Sequence, residues 1–166
     1  MAMDFALDEL QPTDWEQVRG IYLEGIAGGN ATFEIGAPTW AKWNAAHLPF
    51  GRLVARAAEG ILGWSALSAV SERCCYAGLA EASIYVSARH RGLGIGKDLL
   101  QAIIDQSEKN GIWTLQAGIF PENSASLTLV KKCGFREVGR RERLGNLHGV
   151  WRDVLLFERR SRIVGV

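Results

Sequence analysis

The sequence predicts an α/β fold on a mixed central β-sheet of about seven strands with about four helices. Strand patterns neighbour one another in the front of the chain and alternate with helical patterns at the back, which favours a mixed sheet over a doubly wound one. The 166 residues, 48% apolar and 22% charged, suit one soluble core, so residues 1–166 read as a single domain. A chain of this length buries about 70% of its unfolded surface.

The elements follow in order. Phe5 to Leu10 alternates weakly as a first strand, and Pro12-Thr13-Asp14 supplies a helix start. Trp15, Val18, Ile21, Tyr22 and Ile26 recur at helical spacing until Gly28-Gly29-Asn30 stops them. A second helix starts near Pro38-Thr39, with Trp40 and Trp43 on one face as core or dimer interface. Arg52 to Ala57 and Gly60 to Val70 are strands joined by a turn at Ala58-Glu59-Gly60. Leu79 to Ser87 is a long strand with Ala82, Ile84 and Val86 on one face and Glu81, Ser83 and Tyr85 on the other. Leu99, Leu100, Ile103 and Ile104 mark a helix closed by Asn110-Gly111. A strand over Ile112 to Ile119, a helix over Asn123 to Cys133 and two strands, Phe135 to Leu144 and Val150 to Glu158, complete the chain. Arg140 to Arg143 reads as a solvated strand end, and Arg159 to Arg162 as a solvated tail.

Nineteen basic against eighteen acidic side chains leave a net charge of +1, which argues against a nucleic-acid groove built on bulk charge. No apolar run approaches membrane-spanning length, and Met1-Ala2-Met3-Asp4 lacks the basic start of a signal peptide. Three cysteines, Cys74, Cys75 and Cys133, form neither a disulfide framework nor a zinc spacing. The expectation is a reduced, cytoplasmic protein with no metal, no membrane and no nucleic-acid partner.

The most informative segment runs from Ser83 to Lys97, where a strand enters a glycine-studded turn that opens a helix. Glycines at 92, 94 and 96 leave backbone N–H groups open to a ligand at the positive end of the helix dipole. Arg91 and Lys97 add charge, so the natural ligand is a pyrophosphate. Asp98 stands where a P-loop needs a hydroxyl, and the two-residue glycine spacing does not spell a Rossmann fingerprint. A tight turn without a ligand is the bland alternative.

Residues 91–96, R-G-L-G-I-G, resemble the acyl-CoA pyrophosphate loop (R/Q-x-x-G-x-G/A) of the GNAT N-acetyltransferases. Asn123-Ser124-Ala125-Ser126 with Lys132-Cys133-Gly134-Phe135 resembles the same family's N-x-x-S…K-x-G-F segment. A-T-F-E at 31–34, R-C-C-Y at 73–76, A-E-A-S-I-Y-V-S at 80–87 and H-G-V-W-R-D-V at 148–154 are similar to the phosphinothricin/methionine sulfoximine branch. The resemblance implies a GNAT fold with strands splayed at an acetyl-CoA site, acetylation of the α-amino group of a small glutamate-like amino acid, and a homodimer. A detoxifying role goes with it.

An amine at neutral pH is largely protonated, so acetyl transfer to it needs a base. Glu81, on the strand leading to the glycine loop, is the candidate, and the resemblance puts the branch's catalytic glutamate there. A solvated or salt-bridged glutamate is the other reading. By resemblance Tyr85, Val86, Arg91, Gly92, Leu93, Gly94, Ile95, Gly96, Lys97 and Asn123 hold the cofactor, with a backbone N–H at or near Val86 as oxyanion donor. Asn123 also suits a helix N-cap. Phe33, Glu34, Arg73, Tyr76 and His148 are carried over as the substrate pocket, Arg73 being suited to carboxylate or phosphinate. One departure stands out: Val130 occupies the place where family members carry a Tyr or His as a general acid. His148 is left with two possible roles, that acid or a carboxylate ligand. Peptide N-terminal acetylation and non-catalytic acyl-CoA binding are the alternatives on the same fold.

Overall fold

The computed structural model describes residues 3–166. Seven strands, β1 (Ala6–Glu9), β2 (Leu53–Ala57), β3 (Gly60–Ala69), β4 (Leu79–Val86), β5 (Thr114–Ile119), β6 (Arg136–Leu147) and β7 (Val150–Arg160), form one sheet. Four helices, α1 (Trp15–Ala27), α2 (Trp40–Ala46), α3 (Ile95–Lys109) and α4 (Ser124–Lys132), cover it. The strand order is β1-β2-β3-β4-β5-β7-β6, and only β4 and β5 run parallel. This is the mixed sheet the sequence predicts. Element ends differ from expectation by a residue or two, except that β6 continues to Leu147. His148 and Gly149 both adopt positive φ (50° and 83°), the geometry of a tight two-residue hairpin turn that keeps the strands paired to their tips.

The alternation along β4 sends neighbouring side chains to different layers. Ala82 and Ile84 pack with Leu100, Ile103, Ile104, Leu115 and Phe157 beside α3 and α4. Tyr85 packs instead with Trp15, Val18, Ile21, Trp43 and Trp64 beside α1 and α2. Trp43 is 1% exposed, so it is core.

The C-terminal segment is not a solvated tail. Arg159 and Arg160 pair with Leu115 and Thr114 as part of β7, Arg159 reaches Glu108 at 2.9 Å, and Ser161 is buried with its hydroxyl donating to Glu108. Arg160 donates to the carbonyls of Trp113, Val164 and Gly165, so these contacts, with the Arg159–Glu108 pair, make ordering the strand end favourable.

One buried carboxylate fixes the start of α1. Asp14 is 5% exposed and accepts from both Arg56 Nη atoms, at 3.1 and 3.0 Å, and from Gln11 N at 2.9 Å. Burial alone would raise its pKa, but the Arg56 guanidinium and the Gln11 N–H outweigh it and hold the carboxyl below the usual aspartate range. A carboxyl that titrates lower folded than unfolded contributes fully above about pH 4 to 5 and loses that contribution as the pH falls through its folded value. Acid denaturation of Asp14→Asn should therefore be shallower below about pH 4 than that of the unaltered chain. Arg56→Ala, which leaves Asp14 buried without its ion pair, should cost about 2–3 kcal/mol in urea titrations at pH 7.

Candidate active site

Strands β4 and β5 pair over only three positions, Leu79↔Thr114, Ala80↔Leu115 and Glu81↔Gln116. Beyond these they part, β4 staying with β3 as far as Val86↔Gly63 and β5 with β7 as far as Ile119↔Leu155. Ser87 N–H donates to Leu62 O at 2.8 Å, which sets the phase of the antiparallel β3–β4 ladder. Bonding alternates residue by residue, so Glu81, Ser83 and Tyr85 turn their backbone groups to β3. Ala82, Ile84 and Val86 turn theirs toward β5, where the Glu81↔Gln116 pair takes up the Ala82 N–H and leaves the Ala82 carbonyl and the backbone groups of Ile84 and Val86 facing the gap. The parting strands thus face each other with free main-chain donors and acceptors, a slot for an extended ligand with amide groups of its own.

A cleft of about 980 Å³ opens here. Glu81 stands at its closed end, where the last paired residue, Gln116, donates Nε2–H to Glu81 Oε2 at 3.0 Å. Along one wall Tyr85 stacks on Trp64 (4.8 Å, 15°) and meets Tyr22 edge-on (4.9 Å, 69°). Burial, more than the neighbouring Tyr22, pushes the Tyr85 phenol well above its usual range, so it stays a neutral hydroxyl. The ring is seated by Gly25 of α1, where a Cβ would come within 2.8 Å of it. That close approach explains a glycine inside a helix that it would otherwise weaken.

At the far end of β4 the chain turns through the glycine loop into α3. Gly92 and Gly94 have φ of 76° and 86°, a region open to glycine at little cost, and nothing crowds either position. Gly94 is the N-cap and no side chain caps the helix, so the N–H groups of Ile95, Gly96 and Lys97 lack helical acceptors. Arg91, Leu93 and Lys97 are exposed around them. Upstream, Glu24 of α1 accepts from Ala88 N at 2.8 Å and fixes the start of the turn.

Of the residues singled out from the sequence, Phe33, Glu34, Glu81, Tyr85 and Asn123 line the cleft together, and Val130 lines it as a buried apolar side chain. Asn123 is the N-cap of α4, its Oδ1 accepting from Ser126 N at 3.2 Å, while its Nδ2 donates to Asn30 O at 3.0 Å. Arg73, Tyr76 and His148 are not among the lining residues. Arg73 lies over the Tyr76 ring at 5.5 Å, and Tyr76 borders a smaller pocket of about 290 Å³ that shares Gln116 and Leu156 with the main cleft. His148 is exposed at the β6–β7 hairpin tip.

Sequence reasoning missed three residues here. His47, which no sequence motif singled out, lines the cleft. Its Nδ1–H donates to Trp43 O at 2.7 Å, and burial lowers its pKa, which keeps Nε2 a neutral acceptor. Arg141, read as part of a solvated strand end, lines it too. Arg152 of β7 does not line the cleft but braces its roof. Its guanidinium lies 4.2 Å from the Phe120 ring and donates to Gly29 O (2.9 Å), Asn30 Oδ1 (2.8 Å) and Glu122 (3.2 Å). The loop between α1 and α2, which carries Phe33 and Glu34, is thereby tied to the loop before α4. Only the motif R-D-V around Arg152 hinted at this. Arg152→Ala should speed amide exchange across residues 29–36 by about tenfold or more, while exchange in α3 stays unchanged; mass-spectrometric hydrogen exchange reads both.

The Acetyltransferase (GNAT) family model matches residues 15–135. An L-methionine sulfoximine/L-methionine sulfone acetyltransferase of Pseudomonas paraeruginosa is 33% identical over 107 residues, 64% of this chain; the match spans 62% of that relative, less than two thirds of its length. A phosphinothricin N-acetyltransferase of Alcaligenes faecalis is 31% identical over 155 residues, covering 88% of this chain and 77% of its own. The crystal structure of a GNAT superfamily phosphinothricin acetyltransferase from Sinorhizobium meliloti, in complex with AcCoA, matches with a TM-score of 0.86 and 28% identity over 98% of this chain and 91% of that one. Parted parallel strands, an uncapped glycine loop and these matches converge: the chain belongs to the GNAT acetyltransferase family.

Proposed function

We propose that the chain is an acetyl-CoA-dependent N-acetyltransferase for the α-amino group of a small glutamate-like amino acid, of the phosphinothricin or methionine sulfoximine kind, with a detoxifying role. The observation that carries this reading is Glu81 at the closed end of a cleft whose β4 edge carries unpaired backbone groups and leads to an uncapped glycine loop. The names of relatives at 31–33% identity support the substrate class.

The residues present fit acetyl-CoA. Ile95, Gly96 and Lys97 N–H, with Arg91 and Lys97 side chains, suit the pyrophosphate, and open turn positions at Gly92 and Gly94 let it approach. The backbone of Ala82 to Val86 suits the amide-bearing arm, with Tyr85 and Asn123 beside it. Acetyl-CoA supplies an acetyl group activated as a thioester. Glu81 takes the proton from the incoming amine, directly or through a water, and Gln116 holds the carboxylate in place. Val86 N–H is fixed in the strand before reaction and meets negative charge as it develops on the acetyl oxygen. Val130 can give no proton, and a thiol of pKa about 8.5 leaves without one. Phe33 and Glu34 shape the amine side. The homodimer that the resemblance implies is decided by the mass in sedimentation velocity.

Thiol release from acetyl-CoA tests the reading. Turnover is expected with methionine sulfoximine or phosphinothricin and little with glutamate; turnover on a short peptide alone would make the chain a peptide acetyltransferase. Glu81→Gln should keep acetyl-CoA affinity within about twofold and lower kcat by about 10²–10⁴. An unchanged kcat would remove Glu81 as the base and leave His47 and Glu34, the other proton acceptors lining the cleft, to be tested.

A further inference from the structure

Strand β6 is broken opposite Asp153. Arg141 pairs with Val154 and the next pair is Gly145 with Arg152, so Glu142, Arg143 and Leu144 bulge against a single partner residue. Asp153 holds the bulge by accepting Arg143 N at 2.7 Å and Arg140 Nε at 2.8 Å, with Arg140 Nη2 also at 2.7 Å. These bonds, the Arg143 N–H first, keep its carboxyl below the usual aspartate range. Arg143 sits at a φ of 48°, a strained value for a side chain with a Cβ. Bulges of this kind re-aim side chains beside functional sites. Here the effect is specific: Arg141 and Leu144, at the two ends of the bulge, both line the cleft, and Phe33 lies against Gly145 immediately after it.

Among the described residues Arg141 and Arg143 both lack an ion pair, and of the two only Arg141 lines the cleft. Arg136, Arg140 and Arg152 are each bound to a carboxylate, Glu158, Asp153 and Glu122 respectively. Among the described residues Arg141 has no such ion pair, although it is an exposed cation at the wall of the cleft that holds Glu81. Arg73 and His148 lie off that wall.

We propose that Arg141 binds an anionic group of the amine substrate, carboxylate or phosphinate, and is the specificity-determining residue of the amine site. The inference rests on the function proposed above and names the part of the chain that reads the substrate. A guanidinium offers either anion two parallel N–H bonds, so it selects acidic amines over neutral ones of the same size. Asp153 acts through the bulge as a positioning residue.

Steady-state kinetics of Arg141→Gln and Arg141→Lys test this with methionine sulfone, its α-amide and phosphinothricin. Arg141→Gln should raise KM about 10- to 100-fold for an amine that carries the recognised anion, with kcat and the KM for acetyl-CoA within about threefold, and Arg141→Lys should fall between. A penalty with methionine sulfone that vanishes for its α-amide identifies the carboxylate. A penalty with phosphinothricin alone identifies the phosphinate. Arg143→Gln removes the same charge from the bulge outside the cleft lining and should leave KM within about twofold. A KM equal to that of the unaltered chain for all three amines in Arg141→Gln, or a rise confined to acetyl-CoA, overturns the inference alone. No turnover of any amine by the unaltered chain overturns the proposed function and this inference with it.

Discussion

The site depends on two parallel strands that are held together at one end and pulled apart at the other. Gly78 O accepts from Trp113 N at 2.8 Å and Thr114 N at 3.0 Å, which clamps the entry of β4 to that of β5. Past Glu81 each strand keeps its other neighbour, β3 for β4 and β7 for β5. Sheet pairing therefore persists on the outer sides while the inner sides open. Unpaired backbone groups are costly in a dry interior but cheap where solvent or a ligand can reach them. The gap is stable because it is a cleft and not a cavity.

What surrounds the gap follows from where the strands lead. β4 ends at the glycine loop, so a ligand lying along it meets the free N–H groups of α3. β5 leads into the Phe120–Asn123 turn, where Arg152 and Asn123 fasten the loop carrying Phe33 and Glu34. β7 and the broken β6 bring Arg141 and Leu144 to the same wall. On the proposals above, chemistry at Glu81, cofactor binding at α3 and substrate reading at β6 fall to separate elements joined by one opening.

Much of this was legible in the sequence because it is local. The two-residue alternation over 79–87 separates the core face from the face of Glu81 and Tyr85. Glycines at 92 and 94 mark positive φ, and Asn123 marks an N-cap. The insertion of β7 between β5 and β6 was not legible, since it depends on which distant strands find each other. For the same reason Arg141 and Arg152 looked like ordinary strand-surface charges. The β6–β7 register and the bulge opposite Asp153 decide where they point, and no short pattern encodes either. Arg73 and His148 were drawn to the site by motif alone, and the fold sets them beside it.

Residue-resolved amide hydrogen exchange at Ile84 and Val86, with and without acetyl-CoA, tests the central claim most directly. Filling the gap should slow exchange at these two amides by about tenfold or more, together with the amides of Ile95 to Lys97. Saturating acetyl-CoA with unchanged exchange at Ile84 and Val86 would mean that the ligand lies elsewhere, and the opening between β4 and β5 would not be its site.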